Sequence, residues 1–390
     1  MTTNPGQINP RMQKFVLQLL VIFALLATVV LVGYIWNSQR VLSRDHHLTY
    51  AGARILLWDP VLSGPEKYRE GSVHWYLNRE DLTMTPAAAA HLANNYENNL
   101  VMGLRQLSPS VARGLSQTRH ALSFVNFEFT SPELLAAVVS GRCPILHLPA
   151  PNLTEAGAKA LSQFKGDQLS VVQMTRLSPE AAKALSRCEV VSLSLLGLDH
   201  LSEEAAEELS RCRTDWLSIG SLESISETTA SALSRFQGQR LTLYITNISE
   251  TTASALSRFQ GQRLTLSLHT TGTHISETTA SALSRFQGQR LTLSMTHISE
   301  TTASALSRFQ GQRLTLSLTH ISEEVAVALS HYDGLLWLNG LRTLPDAAAH
   351  ALAGRKLLKV GENFRGPGHY LENLPASAAA ILREANNNSQ

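Results

Sequence analysis

Three histidines stand at matching places in this sequence. His274, His297 and His320 each immediately precede the first residue of a repeated string, as does His200. Imidazole nitrogens bind zinc and related ions, and the ring titrates near neutral pH. If successive copies stack, the first three histidines fall into one column, which could bind a metal or sense pH. The same column also reads as a polar loop position copied by duplication. Asn247 at the equivalent place favours that second reading. The expectation is therefore no metal and no cofactor.

Two sets of arginines recur in the same way. They are Arg235, Arg258, Arg285 and Arg308, and Arg240, Arg263, Arg290 and Arg313. The expectation is a solvated outer face, balanced in part by the column Glu227, Glu250, Glu277 and Glu300. The alternative is a surface for an anionic partner, either lipid headgroups or an acidic polymer. Cys188 and Cys212 occupy the position held elsewhere by Phe236, Phe259, Phe286 and Phe309. That substitution reads as a small buried hydrophobe, with a disulfide or ligand role as the alternative. No catalytic constellation accompanies these residues. There is no glycine-rich phosphate loop, nucleophile elbow, zinc spacing or distinctive carboxylate pair. The chain is read as a non-enzyme.

The elements that must position these side chains are repeats. The 19-residue string ISETTASALSRFQGQRLTL occurs four times, beginning at Ile225, Ile248, Ile275 and Ile298, with spacings of 23, 27 and 23 residues. The longer spacing holds an insertion around His269 to Thr273. Equivalent apolar residues extend the register backwards through Leu201, Leu177, Leu153, Phe129, Leu107 and Met84. They extend it forwards through Ile321, Leu344 and Leu374.

Each unit opens with helix signals. Ser178-Pro179 supplies an N-cap and a proline at the first helical position, and Ser108-Pro109, Thr85-Pro86 and Ser131-Pro132 repeat the pair. Glu227 and its copies put negative charge where the helix dipole favours it. Ala230, Leu233 and Phe236 make an apolar stripe. Short alternating runs follow: Leu241-Thr242-Leu243, Leu193-Ser194-Leu195 and Leu217-Ser218-Ile219. A unit this short cannot close a core alone, so neighbours must stack and build a parallel sheet.

Leu193, Leu195, Leu198 and Leu201 form an LxLxxLxxL pattern that resembles bacterial leucine-rich repeats of the 24-residue class. The run Leu153 to Leu161 is similar to the helix opening of those repeats. The likeness covers most of residues 80–360, but the usual asparagine ladder after the strand is missing. It implies an α/β repeat solenoid, with a parallel sheet on one face and short helices on the other, acting as an interaction scaffold.

A separate signal precedes the array. Phe15 to Trp36 is 22 uncharged residues in which only Gln18 and Thr28 are clearly polar. At about 1.5 Å per residue such a helix spans a bilayer core of about 30 Å. Tyr34 and Trp36 fall at an interfacial belt. The expected organisation is a tail at 1–14, a transmembrane helix at 15–36 and a linker and N-terminal cap at 37–80 bearing Trp58, Tyr68, Trp75 and Tyr76. The solenoid follows at 81–360, then a C-terminal cap and disordered tail at 361–390, with a loop around Gly366-Pro367-Gly368.

Charged residues are only 16% of the chain and the net charge is +2, too small and too evenly spread for nucleic acid to be the partner. The three cysteines do not make a disulfide framework. The functional expectation is a single-pass membrane scaffold that binds a protein or an envelope polymer. The alternative is a structural or self-assembling cell-envelope protein. Between the buried strand leucines lie His147, Ser170, Ser194, Ser218, Thr242, Thr265, Thr292, Thr315 and Trp337, which alternation points outward. Ser194 to Trp337 in that column are the expected binding residues, with the Trp337 ring an exposed anchor; the alternative is that the segment after Asn339 folds over that ring as a cap.

The tail before the span is short and free of acidic residues, which places it in the cytoplasm and the repeats outside. Protease added to intact spheroplasts should therefore degrade the repeat domain; full protection would reverse the orientation.

Overall fold

The computed structural model describes residues 82–360 except 105, 126, 269–274, 354, 356 and 357, together with 47, 48, 53, 77 and 376–387. The expected membrane segment, most of the expected N-terminal cap, His274 and the loop around Gly366 lie outside the described residues. No helix among the described residues is long and apolar enough to cross a membrane.

Strands β1 (His47–Leu48) and β2 (Thr83–Met84) form a small parallel pair. The main sheet then gains one strand per unit: β3 (Leu100–Met102), β4 (Leu122–Phe124), β5 (Ile145–Pro149), β6 (Gln168–Val172), β7 (Ser192–Leu196) and β8 (Trp216–Leu222). It continues through β9 (Arg240–Ile245), β10 (Arg263–Leu268), β11 (Arg290–Ser294), β12 (Arg313–Ser317), β13 (Leu335–Asn339) and β14 (Leu358–Val360). All 12 are parallel, and each pairs with its neighbours in sequence. A helix connects each strand to the next, so helices line one side. This is a leucine-rich-repeat-like α/β solenoid.

The helices form where the cap residues put them. Thr85, Ser108, Ser131 and Ser178 are N-caps, each followed by proline at the helix start. In the identical copies the serine oxygen accepts from a threonine amide, as in Thr252 N to Ser249 Oγ at 3.1 Å. That threonine has a second task. Thr252 Oγ1 donates to Ile225 O at 3.1 Å and Thr302 Oγ1 to Ile275 O at 3.2 Å, each reaching into the preceding unit. Threonine is a mediocre helix former. Here it ties one rung to the next, which explains a helix sequence that propensity alone disfavours.

Between helix and strand the chain turns over an aromatic stack. Phe236, Phe259, Phe286, Phe309 and Tyr332 follow one another with ring centroids 6.1–6.2 Å apart and planes within 15°. The stack needs glycine two residues on. A Cβ at Gly288 would lie 2.2 Å from Phe286 Cζ and 2.6 Å from Gly261 O. Cys188 and Cys212 hold the same place in earlier units, and both are buried, as expected. At the far end Arg355 closes the stack. Its guanidinium donates to Leu329 O at 3.1 Å, Ser330 O at 2.9 Å and Gly334 O at 2.6 Å, and also to Tyr332 O.

Near the C-terminus, Ala376–Asn387 is a helix. The run Ala376 to Ala385 is rich in alanine, the strongest helix former, and that outweighs the terminal asparagines.

Phe259 touches a ring on each side. Phe259→Ala should destabilise the chain by about 3–5 kcal/mol, read as a lower urea midpoint. Gly288→Ala, which forces a clash instead of a cavity, should cost about 1–3 kcal/mol.

Candidate functional site

Strand alternation sorts each strand into a core side and an outward side. In β9, Leu241 and Leu243 are fully buried, while Arg240, Thr242 and Tyr244 share the outward side. The same pattern holds for Arg263 and Thr265 in β10, Arg290 and Thr292 in β11, and Arg313 and Thr315 in β12. The ladder is in register: Arg240 pairs with Arg263, Arg263 with Arg290, and Arg290 with Arg313. Four guanidinium-bearing residues therefore form one row beside the threonine row. At about 4.8 Å per strand the row is about 14 Å long.

A tryptophan stands at each end. Trp216 pairs with Arg240, whose guanidinium carbon lies 4.4 Å from the ring centroid, and its indole N–H donates to Thr242 Oγ1 at 3.1 Å. Trp337 pairs with Thr315 and has Arg313 at 5.3 Å and Lys359 at 5.8 Å. A groove of about 390 Å³ at the Trp216 end is lined chiefly by Trp216, Gln239, Arg240, Gln262, Arg263 and Arg290; neither Arg313 nor Trp337 lines it.

The row is positively charged. Asp215 lines the same groove, yet none of the four arginines makes an ion pair among the described residues. Burial, and then the charge of Arg290, lower the pKa of both Arg240 and Arg313. Guanidinium nevertheless stays protonated in proteins. The expected balance by Glu227, Glu250, Glu277 and Glu300 does not take the form of ion pairs with this row. Those carboxylates sit at helix starts on the other layer.

Two sequence expectations are corrected here. The arginine columns do not share an outer face. Arg235, Arg285 and Arg308 are helix C-caps and Arg258 follows one, whereas the other four belong to the sheet face. The hydroxyl column does face outward, but much of it is covered: Ser218 and Thr242 are 4% exposed, Thr315 6% and Trp337 8%. Ser194, Thr265 and Thr292 remain partly exposed. The Trp337 ring is thus not the open anchor that alternation suggests. Neighbours one strand spacing away carry long side chains, here Arg313 and Lys359, and these lie across it. His147 also faces outward, and burial pulls its pKa down.

The remaining predicted residues separate. His200 lies in the loop before Ser202, far along the chain from His297 and His320, which touch each other. Among the described residues no group of three or more His, Cys, Asp or Glu could hold a metal ion. Cys143, Cys188 and Cys212 are free and buried. Burial pushes the Cys143 and Cys188 thiols up to about 12 and raises Cys212 as well.

Comparison with known proteins places the chain in no family: no family profile matches it, and no curated protein does. Among solved structures it is similar to the Toll–Spatzle complex described for Drosophila development and innate immunity. The TM-score is 0.36 at 12% identity, and the match covers 67% of this chain and 39% of that one. The chain therefore spans well under half of that relative.

The thiols give a direct check on the packing. At pH 8 a group titrating near 12 carries on the order of a thousandfold less thiolate than a free cysteine. Native protein should leave its cysteines unmodified by a disulfide reagent over the time in which urea-unfolded protein reacts fully. Rapid reaction of the folded chain would show that the units around Cys188 and Cys212 open.

Proposed function

We propose that this protein is a non-enzymatic recognition scaffold that binds an acidic surface of a partner protein along the outward face of its sheet. One observation carries the reading: Arg240, Arg263, Arg290 and Arg313 stand in register without an ion pair among the described residues. Like charges one strand spacing apart repel, and a core-forming repeat does not need arginine there. A line of carboxylates would relieve that repulsion, and arginine binds carboxylate through paired N–H donors.

Trp216, half-buried beside Arg240, favours a protein partner, because tryptophan and arginine are the residues most enriched where interface energy concentrates. The sheet has room for one. Twelve strands extend over 50–60 Å at about 4.8 Å each, against the roughly 800 Å² per partner that a standard interface buries. The apolar segment Phe15–Trp36 supports a single-pass anchor, with the repeats held outside the membrane.

The test uses the full chain in detergent, a glutamate-rich peptide and an anionic polysaccharide, with tryptophan fluorescence as readout. The peptide should bind more tightly than the polysaccharide, and salt should weaken it. Arg263→Gln and Arg290→Gln should each cost about 1.5–3 kcal/mol of affinity while leaving the melt nearly unchanged. Arg258→Gln on the helix side should change nothing. Equal binding by wild type and the Arg263→Gln/Arg290→Gln double variant would remove the proposal, and a preference for the polysaccharide would redirect it to an envelope polymer.

A further inference from the structure

The opposite margin of the sheet carries a second set of stacked residues. His297 follows β11 and His320 follows β12, each at the loop that leads into the next helix. Their Nε2 atoms face each other at 2.6 Å, and the ring centroids are 4.2 Å apart with planes at 77°. The backbone beneath holds this spacing. Thr319 N donates to Thr296 O at 3.1 Å, and Thr319 Oγ1 donates to the same oxygen at 3.2 Å. His320 itself bridges onward to Thr343 in the next rung. Two imidazole nitrogens are therefore brought together by elements that are fixed in register.

We propose that His297 and His320 form a site for one divalent transition-metal ion of the zinc, nickel or copper type. Two nitrogens at about 2.0–2.1 Å from a zinc ion, at angles between a right angle and the tetrahedral value, lie about 2.8–3.4 Å apart. Opening the pair by a few tenths of an ångström reaches that separation, and rotation of side chains at the surface supplies it. An ion between the rings takes a lone pair from each. It replaces the single proton that the two nitrogens can share with attraction to both. Imidazole is a ligand for zinc, nickel and copper, whereas magnesium prefers oxygen.

Among the described residues no third His, Cys, Asp or Glu completes the set. Arg290 opens β11, whereas His297 lies in the loop past its last residue, Ser294, so the site is at the other end of the strand from the arginine row.

The experiment is calorimetric titration of the full chain in detergent with zinc, nickel and magnesium chlorides separately, repeated on His297→Ala, His320→Asn and His350→Ala. Zinc and nickel should bind at one per chain, and magnesium should not. His297→Ala and His320→Asn should each weaken zinc at least ~10-fold with an unchanged circular dichroism spectrum, and His350→Ala should match wild type. His320→Asn places at this position the residue that the equivalent Asn247 already carries, so the fold should accept it. Two results would overturn the site: no zinc or nickel binding at ~100 μM metal, or binding that survives in the His297→Ala/His320→Asn double variant.

Discussion

Stacking of one unit upon the next, at one strand spacing and without slippage, is the interaction on which the rest of the molecule depends. A unit of 23 or 24 residues buries nothing by itself: its leucines, its phenylalanine and its helix alanines are covered only by the units before and after. The parallel ladder sets the spacing, the aromatic stack from Phe236 to Tyr332 fills the turn, and Thr252 and Thr302 carry hydrogen bonds from one rung to its predecessor. Each of these works only if all the others keep register. A strand that shifted by one residue would turn Leu241 and Leu243 outward and Arg240 inward.

Register has a second consequence, on the surface. When neighbouring units are copies, every exposed residue faces its own duplicate. A core benefits from this, since phenylalanine stacks on phenylalanine. A charged position does not, since arginine then meets arginine, as at Arg240 to Arg313, and histidine meets histidine, as at His297 and His320. Both rows bring together groups that repel when each carries its charge. Both also concentrate donors of one kind at a regular spacing, which is what an extended acidic partner or a metal ion requires. The row of like charge and the convergence of imidazoles arise from one cause, duplication under a fixed strand spacing.

Much of this was legible in residue order. The N-caps at Ser178 and its relatives, the helix starts after them and the Leu-x-Leu strands stand where local signals place them, because capping and alternation act over a few residues. The helix to Asn387 follows from the alanines of its first turns, while its terminal asparagines carry no helix signal of their own. The arginine row is a different case. Arg240 and Thr242 are two residues apart in a strand, so the alternation that put threonine on the outward face put arginine there too. The two arginine columns therefore belong to different faces, a distinction the strand alternation carries.

The sequence by itself determined the repeat, its period, the elements within it and which side chains face the core, since all of these follow from patterns within one unit. Only the tertiary structure decided what covers what. Alternation gives Trp337 a direction and no neighbours, so residue order left open whether the ring stands exposed or is covered, and it is Arg313 and Lys359, from adjacent strands, that close over it. Likewise, spacing in the chain could align His297 with His320 but could not say that their nitrogens meet. Burial and convergence are properties of several chain segments at once, and no single segment encodes them.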